Sequence, residues 1–219
     1  MNDLTRPFVV IDGVEGCGKS TQARLLAEAL AAQGQDVVLT HEPGDTELGA
    51  RLRQLLLHEE VRMSALAETF LFCADRAEHV HSVIVPALER GAAVVSDRFS
   101  ASTFAYQSWA GEVPLETFYR LDEAARAGLG GAAGRESGAT QPDFTIVLDL
   151  EPAAGMARKG LDAAPPDRFE ARPAGYHERV REGFLRYAKM LGAGAAVLNG
   201  DQSAEELHRE ILTAVGLTD

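Results

Sequence analysis

The sequence predicts an α/β fold, a single doubly wound sheet of five parallel strands with helices on both faces. Two observations lead to this prediction. Short apolar segments rich in β-branched residues alternate along the chain with segments of helical periodicity. A glycine-rich loop follows the first strand and opens the first helix, as in the strand–turn–helix units of parallel sheets. The strand segments are residues 8–11, 36–40, 92–97, 143–150 and 195–199.

The bulk composition is that of an ordinary globular protein. Of 219 residues, 46% are hydrophobic and 25% are charged, and we expect a single domain over residues 1–219. The net charge of −12 argues against broad nucleic-acid or anionic-membrane binding, which needs an extended basic surface. The first residues are unlike a secretory signal and no apolar run approaches ~18 residues, so we expect a cytoplasmic protein without a membrane span.

The segment from Gly13 to Ser20 matches the phosphate-binding pattern G-x-x-x-x-G-K-[ST] without a gap. Its glycines allow the tight turn that points successive N–H groups at phosphate oxygens. Lys19 would reach the β- and γ-phosphates, and the Ser20 hydroxyl would hold Mg²⁺. The preceding strand and the helix over 20–33 complete an anion site, so we expect nucleotide phosphates here. Two interpretations of Cys17 stay open, a reactive thiol and a small side chain that fills space in the packing.

Residues 40–46 are expected to form a loop at the carboxyl edge of the sheet, where ligands of α/β proteins bind. Residues 47–57 then form a short helix, and residues 64–91 form a long one that is disturbed at Pro86. An apolar stripe on the long helix is typical of a face turned to the core. It consists of Leu66, Phe70, Cys73, Ala74, Ala77, Val80, Ile84 and Leu88.

Phe72 and Arg76 lie off that stripe, four residues apart, and share a helix face with Glu68 and His79. An aromatic ring and a guanidinium on one face could hold a flat, polar ring. The alternative is an exposed phenylalanine beside a solvated charge, and spacing alone favours that interpretation.

The third strand ends on Asp97, and an acid in that position is typical of a second Mg²⁺ contact beside a phosphate-binding loop. The stretch 99–109 that follows is rich in hydrogen-bonding groups, namely Ser102, Thr103, Tyr106 and Gln107.

The rest of the chain completes the alternation of strands and helices. Residues 128–142, rich in Gly and Ala, are expected to form a flexible surface connection. Loop composition and cations at about 158–173 suggest a mobile lid over phosphates, a solvated loop being the alternative. The remaining helices are expected at 115–127, 152–160, 175–191 and 204–215.

Seven motifs occur in order along the chain, namely Gly13-Val-Glu-Gly-Cys-Gly-Lys-Ser-Thr21, Glu42-Pro43-Gly44, Phe72-Cys-Ala-Asp-Arg76, Asp97-Arg98-Phe99, Ser102-Thr-Phe-Ala-Tyr-Gln107, Asp149 with Pro152, and Asp167-Arg-Phe-Glu170. Together they resemble one family, the bacterial-type thymidylate kinases, over nearly the whole chain. That resemblance implies the P-loop kinase fold, a homodimer, Mg²⁺, and transfer of the ATP γ-phosphoryl group to dTMP, giving dTDP.

On the acceptor side, the resemblance implies that Phe72 stacks on thymine, Arg76 hydrogen-bonds the base edge and Arg98 holds the acceptor phosphate. Thr103 and Gln107 would help to read the base. The whole implied set is Glu15, Pro43, Phe72, Arg76, Arg98, Thr103, Tyr106 and Gln107, with Glu15 and Tyr106 near the sugar.

On the donor side, the resemblance implies that the lid supplies basic residues, and Arg158, Lys159 and Arg168 are the candidates. Ser20 and Asp97 would hold Mg²⁺. The implied ATP-binding residues are Gly13, Val14, Glu15, Gly16, Cys17, Gly18, Lys19, Ser20, Thr21 and Arg168. The implied catalytic residues are Lys19, Asp97, Arg98, Arg158 and Lys159.

The chain departs from the family pattern in places. His41 stands where the family usually has Arg, and Asp45 replaces a usual second Gly, which leaves the conformation of that loop open. The 128–142 segment is longer than the family's connection, and the lid has irregular spacing.

A dTMP kinase needs positively charged groups more than it needs a general base. A phosphate monoester has a second pKa near ~6, so its oxygen is already largely an anionic nucleophile at pH 7. The alternatives are another nucleotide kinase and a deoxynucleoside kinase. A deoxynucleoside kinase would need a carboxylate side chain placed beside the sugar hydroxyl. A nucleotide-gated switch is a further alternative, against which the absence of an Asn-Lys-x-Asp string speaks.

Overall fold

The computed structural model describes residues 7–58, 61–129, 141–160 and 167–217, with a five-stranded sheet at its centre. The strands are β1 Phe8–Gly13, β2 Val37–His41, β3 Ala93–Asp97, β4 Phe144–Asp149 and β5 Ala195–Asn199. All neighbours pair in parallel, in the order β2-β3-β1-β4-β5. The predicted five-stranded parallel sheet is thereby confirmed.

The helices fill the segments between the strands, and three of them continue into π-helical turns. The helices are α1 Lys19–Ala32, α2 Glu47–Arg53, α3 Ala65–His79, α4 Val85–Glu89, α5 Ser100–Thr103, α6 Leu115–Ala125, α7 Pro152–Lys159, α8 Ala174–Leu191 and α9 Ala204–Ala214. The π-helical turns are Gln54–His58 after α2, Val80–Ile84 between α3 and α4, and Phe104–Trp109 after α5.

Side chains cap several helices where the sequence supplies Ser or Thr. Thr46 accepts the N–H of Gly49 at 2.8 Å at the start of α2, and Ser203 forms a reciprocal capping box with Glu206 at the start of α9. The expected disturbance of the long helix lies just before Pro86, in the π-helical turn Val80–Ile84. A proline lacks the N–H that a regular helix would use there.

The three inner strands, β3, β1 and β4, bury both of their faces, which is why they read as continuous apolar runs. In β1, Val9 and Ile11 pack in the cluster that includes α1. Phe8 and Val10, which point to the other face, pack against Ile84 and other residues of the α3–α4 segment. The sheet is therefore covered by helices on both sides.

The long helix is oriented differently from its sequence prediction. Leu66 and Phe70 of the predicted core stripe are 44% and 52% exposed, and Ala74 and Ala77 are exposed as well. Of the stripe residues on α3 only Cys73 is buried, and the rest of the stripe reaches the core after α3 ends, at Val80, Ile84 and Leu88. The buried face of α3 is largely polar, formed by Glu68, Thr69, Cys73, Asp75, Arg76 and His79. Inward polar groups are tolerated because partners from other elements satisfy them.

Two predicted segments fall partly outside the described residues. They are the connection at 128–142, of which residues 130–140 are not described, and the lid at 158–173, of which residues 161–166 are not described. Of the helices described, none combines the length and the apolar character needed to cross a membrane.

Two valines on strands offer a matched test of the core. Val95 on β3 is fully buried, whereas Val197 on the edge strand β5 is 46% exposed. We expect Val95→Ala to lower the free energy of unfolding by about 1.5–3 kcal/mol, and Val197→Ala to change it by about 0.5 kcal/mol or less. Urea denaturation measures both, and equal effects would contradict the burial described here.

Candidate active site

Two adjoining cavities lie beyond the carboxyl ends of β1, β2 and β3. The larger has a volume of about 720 Å³ and the smaller of about 130 Å³. The larger is lined by the glycine-rich loop and the start of α1, and the smaller by α3 and the α5 segment. Residues that line both are Glu15, Glu42, Arg53, Arg98 and Lys159.

The glycine-rich loop runs from β1 into α1 through two left-handed glycines, Gly16 with φ +70° and Gly18 with φ +95°. Nζ of Lys19 donates to the carbonyl oxygen of Val14 at 2.7 Å, inside the loop. The side chains of Val14 and Cys17 turn into the hydrophobic core, so these residues offer only their backbone to a ligand. The Cys17 side chain is 1% exposed and its burial raises the pKa of the thiol, which favours the interpretation as a small filler.

Ser20 and Asp97 meet in the lining of the larger cavity, because β1 leads through the glycine-rich loop into α1 and its neighbour β3 ends on Asp97, opposite Ile11. The Ser20 hydroxyl donates to Oδ2 of Asp97 at 2.5 Å. The other carboxylate oxygen, Oδ1, is buried and accepts no hydrogen bond from the described residues. A hydroxyl beside an unsatisfied carboxylate oxygen suits an oxygen-seeking cation such as Mg²⁺.

Arg98 stands between the two cavities in a left-handed backbone conformation, with φ +74°. Its Nη2 pairs with Oε1 of Glu15 at 3.1 Å, and its Nη1 donates to Oγ of Ser102 at 3.0 Å. The Tyr106 hydroxyl lies 2.6 Å from both Glu15 oxygens. Burial alone would raise the pKa of Glu15, but Arg98, Lys19 and Tyr106 outweigh it and hold that pKa below its ordinary value.

Asp12 is a site residue that the sequence analysis missed. Its carboxylate accepts the N–H of Phe99 at 3.2 Å, and the N–H and hydroxyl of Ser102 at 3.1 and 2.7 Å. It also lies 3.9 Å from Nη1 of Arg98. Burial raises the pKa of Asp12, against the opposing effect of Arg98. The only signal in the sequence is an acid inside an apolar strand, next to Gly13.

Arg76 is buried, only 2% exposed, and the predicted alternative of a solvated charge is wrong. Its Nε donates to Oε2 of Glu42 at 3.0 Å, its Nη1 to Oδ1 of Asp122 at 3.0 Å, and its Nη2 to Oγ1 of Thr103 at 3.1 Å. The guanidinium has further N–H groups beyond these three, and Arg76 lines the smaller cavity. Asp122 on α6 was not predicted, because nothing in its spacing links it to α3.

The smaller cavity holds the other predicted acceptor residues as well. Phe72 is half-buried, with its ring centroid 5.9 Å from that of Phe169, in the segment predicted to form a lid. Arg53 lines the cavity too and was not predicted; its Nη1 donates to the carbonyl oxygen of Pro43 at 2.7 Å. Every residue predicted for the acceptor lines this cavity, namely Glu15, Pro43, Phe72, Arg76, Arg98, Thr103, Tyr106 and Gln107.

The three cations of the predicted lid are placed differently from one another. Arg158 and Lys159 line the larger cavity, where Arg158 donates to the carbonyl oxygen of Gly200 at 2.8 Å and Lys159 pairs with Glu170. Arg168 lies outside the lining of that cavity, paired with Glu68 of α3 and over the ring of Phe169. This position departs from the expected contact of Arg168 with the donor phosphates, because a buried carboxylate on α3 attracts it instead.

Gly155 on α7 is a second site residue that the sequence analysis missed. A Cβ at this position would stand 2.1 Å from the carbonyl oxygen of Glu15, and a Cβ on Gly16 would stand 2.1 Å from the carbonyl oxygen of Gly155. The helix and the glycine-rich loop therefore pack backbone against backbone. No short-range pattern signals this contact, since the two glycines are far apart in sequence.

The parallel sheet, the glycine-rich loop leading into α1 and the cation-lined double cavity define a phosphotransferase with the P-loop kinase fold. The family model for thymidylate kinase matches residues 11–211. The chain belongs to the thymidylate kinase family.

Individual relatives support the same assignment. A thymidylate kinase of Symbiobacterium thermophilum is 40% identical over 205 residues, covering 93% of this chain and 90% of the relative. One of Clavibacter sepedonicus is 46% identical over 187 residues, covering 84% and 82%. The crystal structure of thymidylate kinase from Ehrlichia chaffeensis superposes with a TM-score of 0.74 at 27% identity, covering 96% of this chain and 98% of that one.

The contact between α7 and the loop gives a prediction for Gly155→Ala. The added methyl group must displace the backbone of Glu15, and we expect ATP to bind at least about tenfold more weakly in calorimetric titration. Gly175→Ala is the matched control, because a Cβ at Gly175 meets no atom of the described residues within 4 Å. Unchanged ATP affinity in Gly155→Ala would show that the loop tolerates the displacement.

Proposed function

We propose that the protein transfers the γ-phosphoryl group of ATP to dTMP, giving dTDP and ADP. The observation that carries this proposal is the meeting of the two cavities at Glu15, Arg98 and Lys159. A donor phosphate chain in the larger cavity and an acceptor monophosphate in the smaller one would approach each other at Arg98. Membership of the thymidylate kinase family supports the choice of acceptor.

The smaller cavity has the chemistry of a pyrimidine site. Phe72 offers an aromatic face for stacking, and Arg76 offers N–H groups to a carbonyl oxygen on the base edge. Glu42 and Asp122 hold the guanidinium of Arg76, so its direction is fixed before the base binds. A fixed donor discriminates better than a mobile one because less ordering accompanies binding.

The donor side combines the glycine-rich loop with Mg²⁺. Ser20 and Asp97 would hold the ion, and among the described residues no group of three His, Cys, Asp or Glu side chains is arranged for a metal. This fits a cation that keeps several waters and shares the substrate phosphates. Bound there, Mg²⁺ would neutralise charge on the β- and γ-phosphates.

The transfer itself needs alignment and positive charge. An oxygen of the acceptor phosphate forms the new bond to the γ-phosphorus as the bond from that phosphorus to the bridging oxygen of ADP breaks. Lys19 and Arg98 stabilise the charge on the transferred group, and Arg98 stays protonated because the acidic groups around it outweigh burial and raise its pKa. The acceptor oxygen is already anionic, so no residue has to act as a strong base.

We also propose a homodimer that forms through the exposed apolar face of α3. Leu66, Phe70, Ala74 and Ala77 follow one another at helical spacing on that face, and all four are exposed. Such a stripe is unfavourable in water and is typical of an interface. A second copy of the chain, burying the same stripe, would produce a two-fold symmetric contact.

The location that we propose is the cytoplasm, and the chain would act as one domain with a mobile lid at about 158–173. Both cysteines, Cys17 and Cys73, are free and buried, which suits a reducing compartment. The lid would bring Arg158 and Lys159 to the donor phosphates.

Steady-state turnover tests the activity. With ATP and Mg²⁺, we expect dTMP to be the best acceptor in a panel with dUMP, AMP, GMP and deoxythymidine. Lys19→Ala should lower kcat by about 10²–10³, since it removes a positioned cation, whereas Lys189→Ala on the exposed end of α8 should leave it unchanged. A preference for AMP, GMP or deoxythymidine would reject the proposed acceptor.

Light scattering after size-exclusion chromatography tests the dimer. We expect the wild-type protein to elute as a dimer and Phe70→Lys to weaken the association at least about a hundredfold, because it buries a charge in an apolar contact. Val197→Lys alters an exposed apolar residue of similar accessibility on β5 and should stay dimeric. A monomeric wild-type protein, or a Phe70→Lys protein that remains fully dimeric, would contradict this interface.

A further inference from the structure

Glu68 connects two parts of the molecule that are distant in sequence, the acceptor cavity and the lid. Its Oε1 accepts a hydrogen bond from Nε2 of Gln107 at 2.9 Å, and its Oε2 pairs with Nη2 of Arg168. Glu68 is 7% exposed and Gln107 is 2% exposed, so water has little access to these contacts. The helical spacing of the sequence places Glu68 on the face of Phe72 and Arg76 but indicates no role for it.

The chemistry of the three side chains fixes the direction of each hydrogen bond. An ionised carboxylate only accepts and a guanidinium only donates. Glu68 must therefore take the NH₂ end of the Gln107 amide. Because Gln107 lines the acceptor cavity, the end left for a ligand is its carbonyl oxygen, a hydrogen-bond acceptor.

We propose that Glu68, held by Arg168, is a positioning residue that sets base specificity through the polarity of the Gln107 amide. A carbonyl oxygen turned to the cavity accepts from the ring N–H of thymine or uracil. Cytosine carries an unprotonated nitrogen at the same ring position and would face that oxygen with a second acceptor. Such a mismatch leaves both groups unpaired in a buried site. The inference rests on the proposed transfer to dTMP.

The variant Glu68→Gln reverses this polarity without changing the size of the side chain. Arg168 only donates, so it binds the carbonyl oxygen of the new amide, whose NH₂ group then faces Gln107. The Gln107 amide must turn over to accept from it. Its own NH₂ group then faces the cavity and matches cytosine in place of thymine or uracil.

The experiment measures kcat/KM for dTMP, dUMP and dCMP. We expect Glu68→Gln to lower the dTMP/dCMP and dUMP/dCMP ratios by about tenfold or more, the value of one hydrogen bond. The dTMP/dUMP ratio should not change, because the methyl group is not read by Gln107. Glu68→Asp, still an acceptor only, should keep the ratios in favour of dTMP and dUMP. Glu78→Gln, a surface change on the same helix, is the matched control.

The ratios separate positioning from a structural role. If Glu68→Gln lowers kcat/KM for all three acceptors by the same factor, or leaves all the ratios unchanged, the proposal is overturned. If Glu68→Gln does not fold by circular dichroism, Glu68→Asp decides, since a tenfold loss of dTMP/dCMP discrimination in that variant would also overturn it. A wild-type protein that does not phosphorylate dTMP would reject the proposed function itself.

Discussion

The carboxylate of Asp12 connects the two strand ends on which both cavities depend. It lies at the end of β1. Its oxygen Oδ2 accepts hydrogen bonds from the backbone N–H groups of Phe99 and Ser102, just beyond the end of β3. Between them stands Arg98, in a left-handed conformation that costs a non-glycine residue roughly 1–3 kcal/mol. The surrounding hydrogen bonds offset this cost, and the guanidinium is thereby placed where donor and acceptor would meet. If Asp12 were not a buried hydrogen-bond acceptor, the N–H groups of Phe99 and Ser102 would lose their partner, and the turn after β3 would lose this stabilisation.

The helix α3 shows a similar use of burial. Its polar face is turned inward, where Glu42 and Asp122 neutralise Arg76, and its apolar residues are left outside. Burying an unpaired guanidinium would be strongly unfavourable, but a paired one adds a rigid donor to the cavity. The acceptor site and the exposed stripe of Leu66 and Phe70 are therefore two consequences of one helix orientation.

What the sequence could predict depended on how local each signal was. The strands, the glycine-rich loop and the placement of Asp97 follow from short-range pattern and from the adjacency of parallel strand ends, and the structure agrees with them. The orientation of α3 was predicted wrongly, because periodicity cannot tell whether polar groups will find buried partners in other elements. Gly155 and Asp122 were missed because their roles arise from contacts between elements that are far apart in the chain.

The cations that are expected to bind phosphates are already paired with polar groups of the protein itself. Lys19 donates to a carbonyl oxygen of the loop, Arg98 pairs with Glu15, and Lys159 pairs with Glu170. A nucleotide that binds here would replace these contacts with phosphate contacts. Each new ion pair would therefore add to the binding free energy only the difference between the phosphate contact and the contact that it replaces. In a chain of net charge −12, such a site favours the ligand that satisfies several cations at once and disfavours a lone anion. The protein groups that hold these cations in place would thus favour a ligand that contacts several of them together.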